Sequence, residues 1–136
     1  MKRYFLDTNI ILDFLGNREP FGKFALQIFN KSLKKEWELW TSSNSVTTSY
    51  YILEKALDRK QAKEKIGLLL NYISIHPILK KDLQSSLVSN FKDFEDGVQH
   101  FCALSHGNLN GIITRNKKDF KYSQVPVYAP EELFVR

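Results

Sequence analysis

Four aspartates lie where the sequence changes character. Asp7 directly follows a short β-prone run at residues 3–6. Asp93 and Asp96 lie three residues apart at the start of a helical pattern, and Asp119 lies in a loop that follows another apolar run. Carboxylates three residues apart on a helix share a face, and ligand sites of open parallel sheets lie beyond the carboxyl ends of the strands. We therefore expect these carboxylates to converge on one pocket.

Several carboxylates in one pocket require a counter-ion. Like charges within about 4 to 6 Å force one of the groups to stay protonated, and a bound cation removes that cost. Hard oxygen ligands of this type suit Mg²⁺ or Mn²⁺, which keep several waters and share their coordination with substrate phosphates. Such an ion lowers the pKa of a bound water and stabilises charge on a leaving oxygen. The chemistry indicated is hydrolysis of a phosphodiester bond.

Each of these acids also has a structural interpretation. Asp7 or Asn9 could cap a helix that begins near Ile10. Asp93 could accept hydrogen bonds from free backbone N–H groups, with Asp96 in the positive first turn of the same helix. Both interpretations stay open from the sequence alone, and capping by Asp93 is compatible with metal binding by Asp96.

The segment around Asp119 is rich in other polar groups. A predicted strand at residues 111–114 ends at Thr114, and the residues that follow are Arg115, Asn116, Lys117, Lys118 and Asp119. The three cations of this loop could meet the phosphates of a nucleic acid. The whole chain has 20 Lys and Arg against 15 Asp and Glu, a formal charge of +5, which favours an acidic partner. The other basic pairs are typical of solvated helix faces.

Other chemistries are less well supported. His100 lies four residues after Asp96 on the same helical face, but a structural histidine explains this spacing better. The chain has no Gly-rich phosphate loop. A phosphatase of the haloacid dehalogenase type would need a second aspartate two residues after Asp7, where this chain has Asn9.

Short apolar runs alternate with helical patterns along the chain. The predicted strands are residues 3–6, 38–41, 74–78, 111–114 and 125–128. Apolar residues at three- and four-residue spacing predict helices at 21–33, 46–57, 62–73, 82–88 and 93–106, the last ending at Gly107. Strands separated by helices pair in parallel, because each helix supplies the crossover. We predict a three-layer α/β/α sandwich with a central parallel sheet of about four or five short strands, in one domain over residues 1–136.

Composition narrows the class of protein. Hydrophobic residues make up 43% of the chain and aromatic residues 13%, enough to pack a core. The single cysteine, Cys102, excludes an internal disulfide and is expected in the core. No uncharged apolar stretch reaches the roughly 18 residues of a membrane span. We expect a globular, cytoplasmic protein with no membrane partner.

Three segments together resemble the motifs of PIN-domain ribonucleases. They are FLDTNIILD at residues 5–13, DFED at residues 93–96 and IITRNKKDF at residues 112–120. The resemblance spans nearly the whole chain and is strongest to the small VapC-type toxins of bacterial VapBC toxin–antitoxin pairs. It implies a PIN-like fold and an endoribonuclease that depends on Mg²⁺ or Mn²⁺. It also implies a homodimer, and silencing by an antitoxin protein encoded beside the toxin.

The resemblance assigns roles to individual residues. The catalytic, metal-binding acids would be Asp7, Asp96 and Asp119, with Asp93 as a further ligand or a capping residue. Asn9, Thr114 and Asn116 would support the site by hydrogen bonding. Arg115, Lys117 and Lys118 follow as the candidate contacts with RNA.

One acid of the family pattern is missing from this chain. The family has an acid early in the helix after the second strand, and Thr48 occupies that position here. Glu54 would lie about 9 Å further along the helix axis and roughly on its opposite side, so we do not expect it to replace the missing acid. A threonine hydroxyl could still hold a water in the site. The alternative to an active endoribonuclease is a PIN-like RNA- or protein-binding module with weakened or absent catalysis.

Overall fold

A computed structural model, which describes residues 1–134, has a parallel sheet at its centre. The strands in this part of the chain are β1 (Lys2–Leu6), β2 (Trp37–Ser42), β3 (Ser74–His76), β4 (Gly111–Ile113) and β5 (Val127–Tyr128). Their spatial order is β3-β2-β1-β4-β5, and every neighbouring pair is parallel. All five predicted strands are confirmed, and β1 is the central one.

Prolines explain why two strands are shorter than predicted. The run 74–78 forms a strand only as far as His76, because Pro77 has no N–H to donate to a ladder. In the run 125–128 the regular strand begins at Val127, after Pro126. Pro126 still accepts a hydrogen bond from the N–H of Ile112 at 2.8 Å, so the chain approaches the sheet edge before the strand begins.

Helices connect the strands. They are α1 (Thr8–Leu15), α2 (Gly22–Leu33), α3 (Ser43–Ala56), α4 (Arg59–Leu69), α5 (Lys80–Leu87) and α6 (Phe94–His106). As predicted, α6 ends at Gly107, which adopts a left-handed conformation with φ of 78°. The segment after β4 was predicted as a loop, but Lys117–Phe120 forms a 3₁₀ turn, as does Pro130–Leu133. Among residues 1–134, no helix is both long and apolar enough to cross a membrane.

The two faces of the sheet are covered by different helices. Side chains alternate along a strand, so Tyr4 and Leu6 of β1 face one core and Phe5 faces the other. The first core contains buried side chains from the first four helices, including Ile10, Ile28, Leu53 and Leu69. The second contains Cys102 and Ala103 of α6, and α5 packs against the same helix. The predicted three-layer sandwich and the buried Cys102 are confirmed.

Some residues of the predicted apolar stripes lie at the surface. In α2, Ala25, Ile28 and Phe29 are buried, whereas Leu33 at the end of the helix is 62% exposed. Phe21, just before α2, is also exposed, and its ring lies 3.9 Å from the Arg115 guanidinium. The stripes therefore extend beyond the length of helix that the sheet covers.

Candidate active site

Asp7 lies where β1 ends and α1 begins. Its N–H donates to the carbonyl oxygen of Ile113 in β4 over 3.0 Å, and its Oδ1 accepts the N–H of Thr8 over 2.8 Å. Asp7 is thus the N-cap of α1 and also an acid at the carboxyl edge of the sheet. The capping interpretation of Asp7 is confirmed, and its position at the sheet edge is compatible with the metal-binding interpretation.

Two neutral side chains hold the other oxygen of this carboxylate. The Thr114 hydroxyl donates to Asp7 Oδ2 over 2.8 Å, and the Asn9 amide donates to the same oxygen over 3.3 Å. Thr114 Oγ1 in turn accepts the N–H of Asn116 at 3.1 Å, and Asn9 Oδ1 accepts the N–H of Arg115 at 3.3 Å. The three predicted supporting residues therefore lie beside Asp7, although Asn116 contributes its backbone and not its side chain.

The pKa of Asp7 reports on its surroundings. The residue is only 6% exposed, and burial raises the pKa of its carboxyl group. The hydrogen bonds from Thr114 and Thr8 lower that pKa, whereas the negative charges of Asp119 and Asp93 raise it further. These two distant acids therefore lie within electrostatic reach of Asp7.

Asp93 and Asp96 occupy the beginning of α6. Asp93 is the N-cap, and its Oδ1 accepts the N–H of Asp96 over 3.0 Å, so its predicted capping role is confirmed. The carboxylate of Asp96 has no hydrogen-bond or ion-pair partner among residues 1–134. Burial, followed by the charges of Asp7, Asp93, Asp119 and Glu95, raises the pKa of Asp96 to about 7. Four acids from three segments of the chain thus bring negative charge towards this one carboxyl group.

Asp119 shares a surface cavity with the two acids of α6. It is exposed on the 3₁₀ turn after β4. The cavity has a volume of about 510 Å³, and it is lined by Lys92, Asp93, Asp96, Lys118, Asp119, Lys121 and Tyr122. The charges of Asp93 and Asp119 raise the pKa of buried Asp7, and the charge of Asp7 raises the pKa of Asp96, so the acids of the cavity lie near Asp7. Asp93, Asp96 and Asp119 therefore line one cavity, and Asp7 lies within electrostatic reach of it.

The donor set of this region fits a hard divalent cation. In their present rotamers, no three His, Cys, Asp or Glu side chains within residues 1–134 form a ready-made metal site. Two of the acids are engaged, because Asp7 is held by Thr8 and Thr114 and Asp93 caps α6. Burial is the largest cause of the raised pKa values of Asp7 and Asp96, and the negative charges of neighbouring acids raise both values further. A divalent ion with oxygen ligands would remove that repulsion.

The basic residues near the site differ from those predicted. Arg115 and Lys117 are both engaged elsewhere, Arg115 with buried Asp13 at 2.6 Å and Lys117 with Glu132 at 2.8 Å. Of the three predicted RNA contacts, only Lys118 lines the cavity. Lys92 and Lys121 line it as well and were missed from the sequence. The signal available was their position in the sequence, one residue before Asp93 and two residues after Asp119 respectively.

Two further residues have clear structural surroundings. Glu54 accepts a hydrogen bond from the Tyr50 hydroxyl of the same helix, α3, at 2.8 Å. This contact gives no sign that Glu54 replaces the missing acid. His100 is fully buried, stacks on Phe91 with ring centroids 4.8 Å apart, and accepts the N–H of Gln124 at 3.0 Å. Burial lowers the pKa of His100 to about 4, so its ring is neutral. The structural interpretation of His100 is confirmed.

Comparisons with known proteins agree with this geometry. A family model described as PIN domain matches residues 3–118. Ribonuclease VapC1 from Aquifex aeolicus is 31% identical to the chain over 140 aligned positions, which cover 99% of this chain and 95% of that protein.

Solved structures share the fold at lower identity. The structure of VapBC2 from Rickettsia felis bound to a DNA fragment from its promoter has a TM-score of 0.67 at 18% identity, covering 93% of this chain and 98% of that one. A toxin–antitoxin complex from Klebsiella pneumoniae has a TM-score of 0.65 at 22% identity, covering 93% and 97%. At these identities the likeness concerns the fold.

Proposed function

The chain belongs to the PIN domain family, and from this premise we propose that it is an endoribonuclease, the toxin of a toxin–antitoxin pair, which hydrolyses RNA phosphodiester bonds with Mg²⁺ or Mn²⁺. The relative from Aquifex aeolicus, which matches along almost the entire chain, is a ribonuclease. Such a toxin would act in the cytoplasm, where RNA is exposed to it.

One observation carries the catalytic part of this proposal. The carboxyl group of Asp96 has a pKa raised to about 7 by burial, by Asp7 and Asp119 from distant parts of the chain, and by its neighbours Asp93 and Glu95. Repulsion of this kind costs stability, and proteins retain it most often at functional sites. A cluster of acids of this kind, with the nearest lysines on the rim of the cavity, is compatible with a site for a divalent ion.

The residues of the site would have different roles. Asp7, Asp96 and Asp119 would hold the ion, with Asp93 as a further candidate ligand. A bound divalent ion supplies an acidified water and stabilises negative charge on the leaving oxygen. Thr114 and Asn9 keep the Asp7 carboxylate oriented through hydrogen bonds of 2.8 and 3.3 Å.

The basic rim of the cavity would bind the substrate. Lys92, Lys118 and Lys121 surround the acids and would attract the phosphates of the RNA backbone. Phosphate contacts of this type position a nucleic acid and do not select its sequence. The rim therefore supports RNA as the substrate class.

The proposal is tested with the purified protein and a mixed RNA substrate in Mg²⁺ or Mn²⁺. We expect cleavage that EDTA abolishes and that Asp7→Asn, Asp96→Asn and Asp119→Asn each reduce by at least about 100-fold. The matched control is Asp58→Asn, because Asp58 caps α4 through the N–H of Gln61 and Asn caps equally well. Cleavage by the control at the wild-type rate, with loss in the other three, would support the assignment.

Thr48 supports a second candidate, a PIN-like binding module with weakened or absent catalysis. Calorimetry with Mn²⁺ separates the two candidates. Binding that disappears in Asp7→Asn argues against the inactive module. RNA binding without Mn²⁺ binding and without cleavage would instead support it and overturn the nuclease.

We also propose that α5 contacts an antitoxin. Leu79, Leu83 and Leu87 recur at four-residue spacing on one face, and Val88 follows them; their exposed fractions range from 40% to 87%. Apolar patches of this kind mark protein–protein contacts. Co-expression with the small protein encoded beside the gene should give a complex that Leu87→Ser weakens and Leu68→Ser, on α4, does not.

A homodimer is the remaining part of this assignment. Light scattering on the free chain should give twice the monomer mass. If Leu87→Ser halves that mass and leaves antitoxin binding intact, then the α5 stripe is the surface between two copies and not the antitoxin site.

A further inference from the structure

A buried hydrogen-bond network joins the beginnings of three helices beneath the acids. Gln99 lies on α6 one turn after Asp96 and is only 1% exposed. Its Oε1 accepts the hydroxyl of Ser42, and its Nε2 donates to the hydroxyl oxygen of Ser45. Ser45 Oγ lies 2.8 Å from Thr8 Oγ1. The network therefore connects the helix that carries Asp96 to the first residue of the helix that Asp7 caps.

The hydrogens of this network point in one direction. Ser42 Oγ accepts the N–H of Ser45 over 3.0 Å, so the Ser42 hydrogen is free to donate to Gln99 Oε1. Ser45 Oγ accepts from Gln99 Nε2, and Ser45 is fully buried with Thr8 Oγ1 as the one acceptor that its hydroxyl reaches among residues 1–134. We therefore assign the Ser45 hydrogen to Thr8, because the opposite direction would leave a buried donor unpaired. The hydrogen left over at the end of this series is the one on the Thr8 hydroxyl.

Burial explains why the amide adopts this orientation and not the reversed one. If the amide oxygen faced Ser45, the hydrogen of Ser42 would lose its acceptor, and Ser42 is fully buried. An unpaired buried donor costs about 1–3 kcal/mol. In the orientation found, the leftover hydrogen lies on Thr8, which is partly exposed and can reach a ligand or water.

Thr8 lies where its hydroxyl hydrogen could contact a substrate. Thr8 follows Asp7 directly and donates its backbone N–H to Asp7 Oδ1 over 2.8 Å. With the Ser45 hydrogen assigned to Thr8 Oγ1, the Thr8 hydrogen is the one donor of the network without an acceptor among residues 1–134. Carboxylates repel an anion, so a hydroxyl donor among them offers an incoming anion a favourable contact, and a phosphodiester oxygen is the anion that the proposed function requires.

We propose that Gln99 and Ser45 are positioning residues that aim the Thr8 hydroxyl at a phosphate oxygen of the bound RNA. The inference rests on the proposed nuclease function and adds one substrate contact and its support. The network ends on a partly exposed hydroxyl whose hydrogen has no acceptor among residues 1–134, next to the most buried acid of the site.

The test compares Thr8→Val, which removes the hydroxyl but keeps the shape, with Thr8→Ser, which keeps the hydroxyl. Thr8→Val should lower kcat/KM by about 10- to 100-fold, the worth of a hydrogen bond to a charged group. It should also weaken RNA binding in EDTA by about threefold or more. Thr8→Ser should restore both quantities to within about threefold of wild type.

Two further variants separate positioning from folding. Ser45→Ala removes the link between Gln99 and Thr8 and should lower kcat/KM in the same direction, by about 3- to 10-fold. Thr47→Val is the control, because Thr47 is exposed on the same helix and its hydroxyl bonds only to the Ser43 carbonyl oxygen at 3.3 Å. It should leave kcat/KM and RNA affinity unchanged. The Tm of each variant checks that the fold is retained.

The outcomes distinguish this inference from the proposed function. Wild-type cleavage by Thr8→Val, or an equal defect in Thr8→Ser, overturns the inference and leaves the nuclease standing. If the wild type cuts no RNA, and Thr8→Val weakens RNA binding whereas Thr8→Ser does not, then the nuclease proposal is contradicted and the Thr8 contact is supported. Wild-type RNA affinity in Thr8→Val, in a protein that cuts nothing, overturns both.

Discussion

The guanidinium of Arg115 and the carboxylate of Asp13 form a two-point ion pair. Arg115 Nε lies 2.6 Å from Asp13 Oδ2, and Nη2 lies 3.2 Å from Oδ1. Asp13 is only 1% exposed in its side chain, and Arg18 Nε reaches the same carboxylate at 3.0 Å. The pair fastens the segment after β4 to α1, close to the hydrogen bonds that hold Asp7. The sequence placed Arg115 among the candidate RNA contacts, and in the structure its charge compensates a buried acid.

Arg115→Ala should therefore act on stability. It leaves Asp13 with Arg18 as its one remaining cation among the described residues, and we expect unfolding to become easier by about 2–4 kcal/mol. The RNA affinity of the folded protein should change by less than about threefold. Denaturant unfolding and RNA titration measure the two quantities. Unchanged stability together with a large loss of RNA affinity would indicate that Arg115 contacts the RNA.

Lys118→Ala should show the opposite pattern. Lys118 is exposed on the rim of the acidic cavity, so its loss should raise KM by about 3- to 10-fold with little effect on Tm. The dependence of RNA affinity on salt should become shallower by about 0.7 in slope, the value for one phosphate contact on a single strand. Lys34→Ala, at an exposed lysine just after α2, is the control. Equal effects in both variants would mean that net charge, and not this rim, attracts RNA.

The pKa of Asp96 predicts how stability depends on pH in the absence of metal. Aspartate titrates near 3.9 in an unfolded chain and at about 7 in the folded protein, so the folded state holds the proton more tightly. This stabilisation is complete below about pH 4 and is lost as the pH rises through about 7. Three pKa units correspond to about 4 kcal/mol, which solvent screening of the half-buried group reduces to about 1–2 kcal/mol.

The measurement is the free energy of unfolding in EDTA between pH 5 and pH 8, for wild type and for Asp96→Asn. The difference between the two proteins should favour Asp96→Asn increasingly as the pH rises. Taking the difference removes the opposite trend of His100, whose lowered pKa costs stability as the pH falls below about 6.5. Saturating Mn²⁺ should restore the wild type at pH 8. A difference that stays constant with pH would show that the pKa of Asp96 is not raised in the folded protein.

The sheet and the positions of the acids could be predicted because local chemistry determines them. Asp7 follows a strand, Ser42 ends one and Asp93 ends a loop, and each accepts a backbone N–H of the helix that follows, a relation within a few residues of sequence. Strands that alternate with helices pair in parallel, so their carboxyl ends meet at one edge. The relative placement of Asp7 and the acids of α6 followed from these two rules.

The rim of the site could not be predicted in the same way. Whether a lysine faces the acids depends on how the 3₁₀ turn after β4 packs against α6, and a turn of four residues has no periodicity to read. The Arg115–Asp13 pair joins residues 102 positions apart, and nothing local distinguishes Arg115 from Lys118. The Gln99 network was missed for a similar reason, because a lone glutamine and several serines look like a solvated helix face until tertiary packing buries them.

Thr48→Glu would place an acid where the family has one, and its effects test how complete the metal site is. Thr48 is half-buried on α3. An added anionic ligand should tighten Mn²⁺ binding by about 3- to 10-fold and raise the cleavage rate. Without metal the same charge adds to the repulsion around Asp7 and Asp96, so Tm in EDTA should fall and recover with Mn²⁺. Thr47→Glu is the control, because residue 47 lies about 100° around the helix and is exposed. The contrary outcome concerns the affinity for Mn²⁺. If a folded Thr48→Glu protein binds Mn²⁺ no more tightly than the wild type does, then position 48 does not face the ion. The four aspartates would then form the whole anionic part of the site, and the neutral residue would not be a reason to expect weak catalysis.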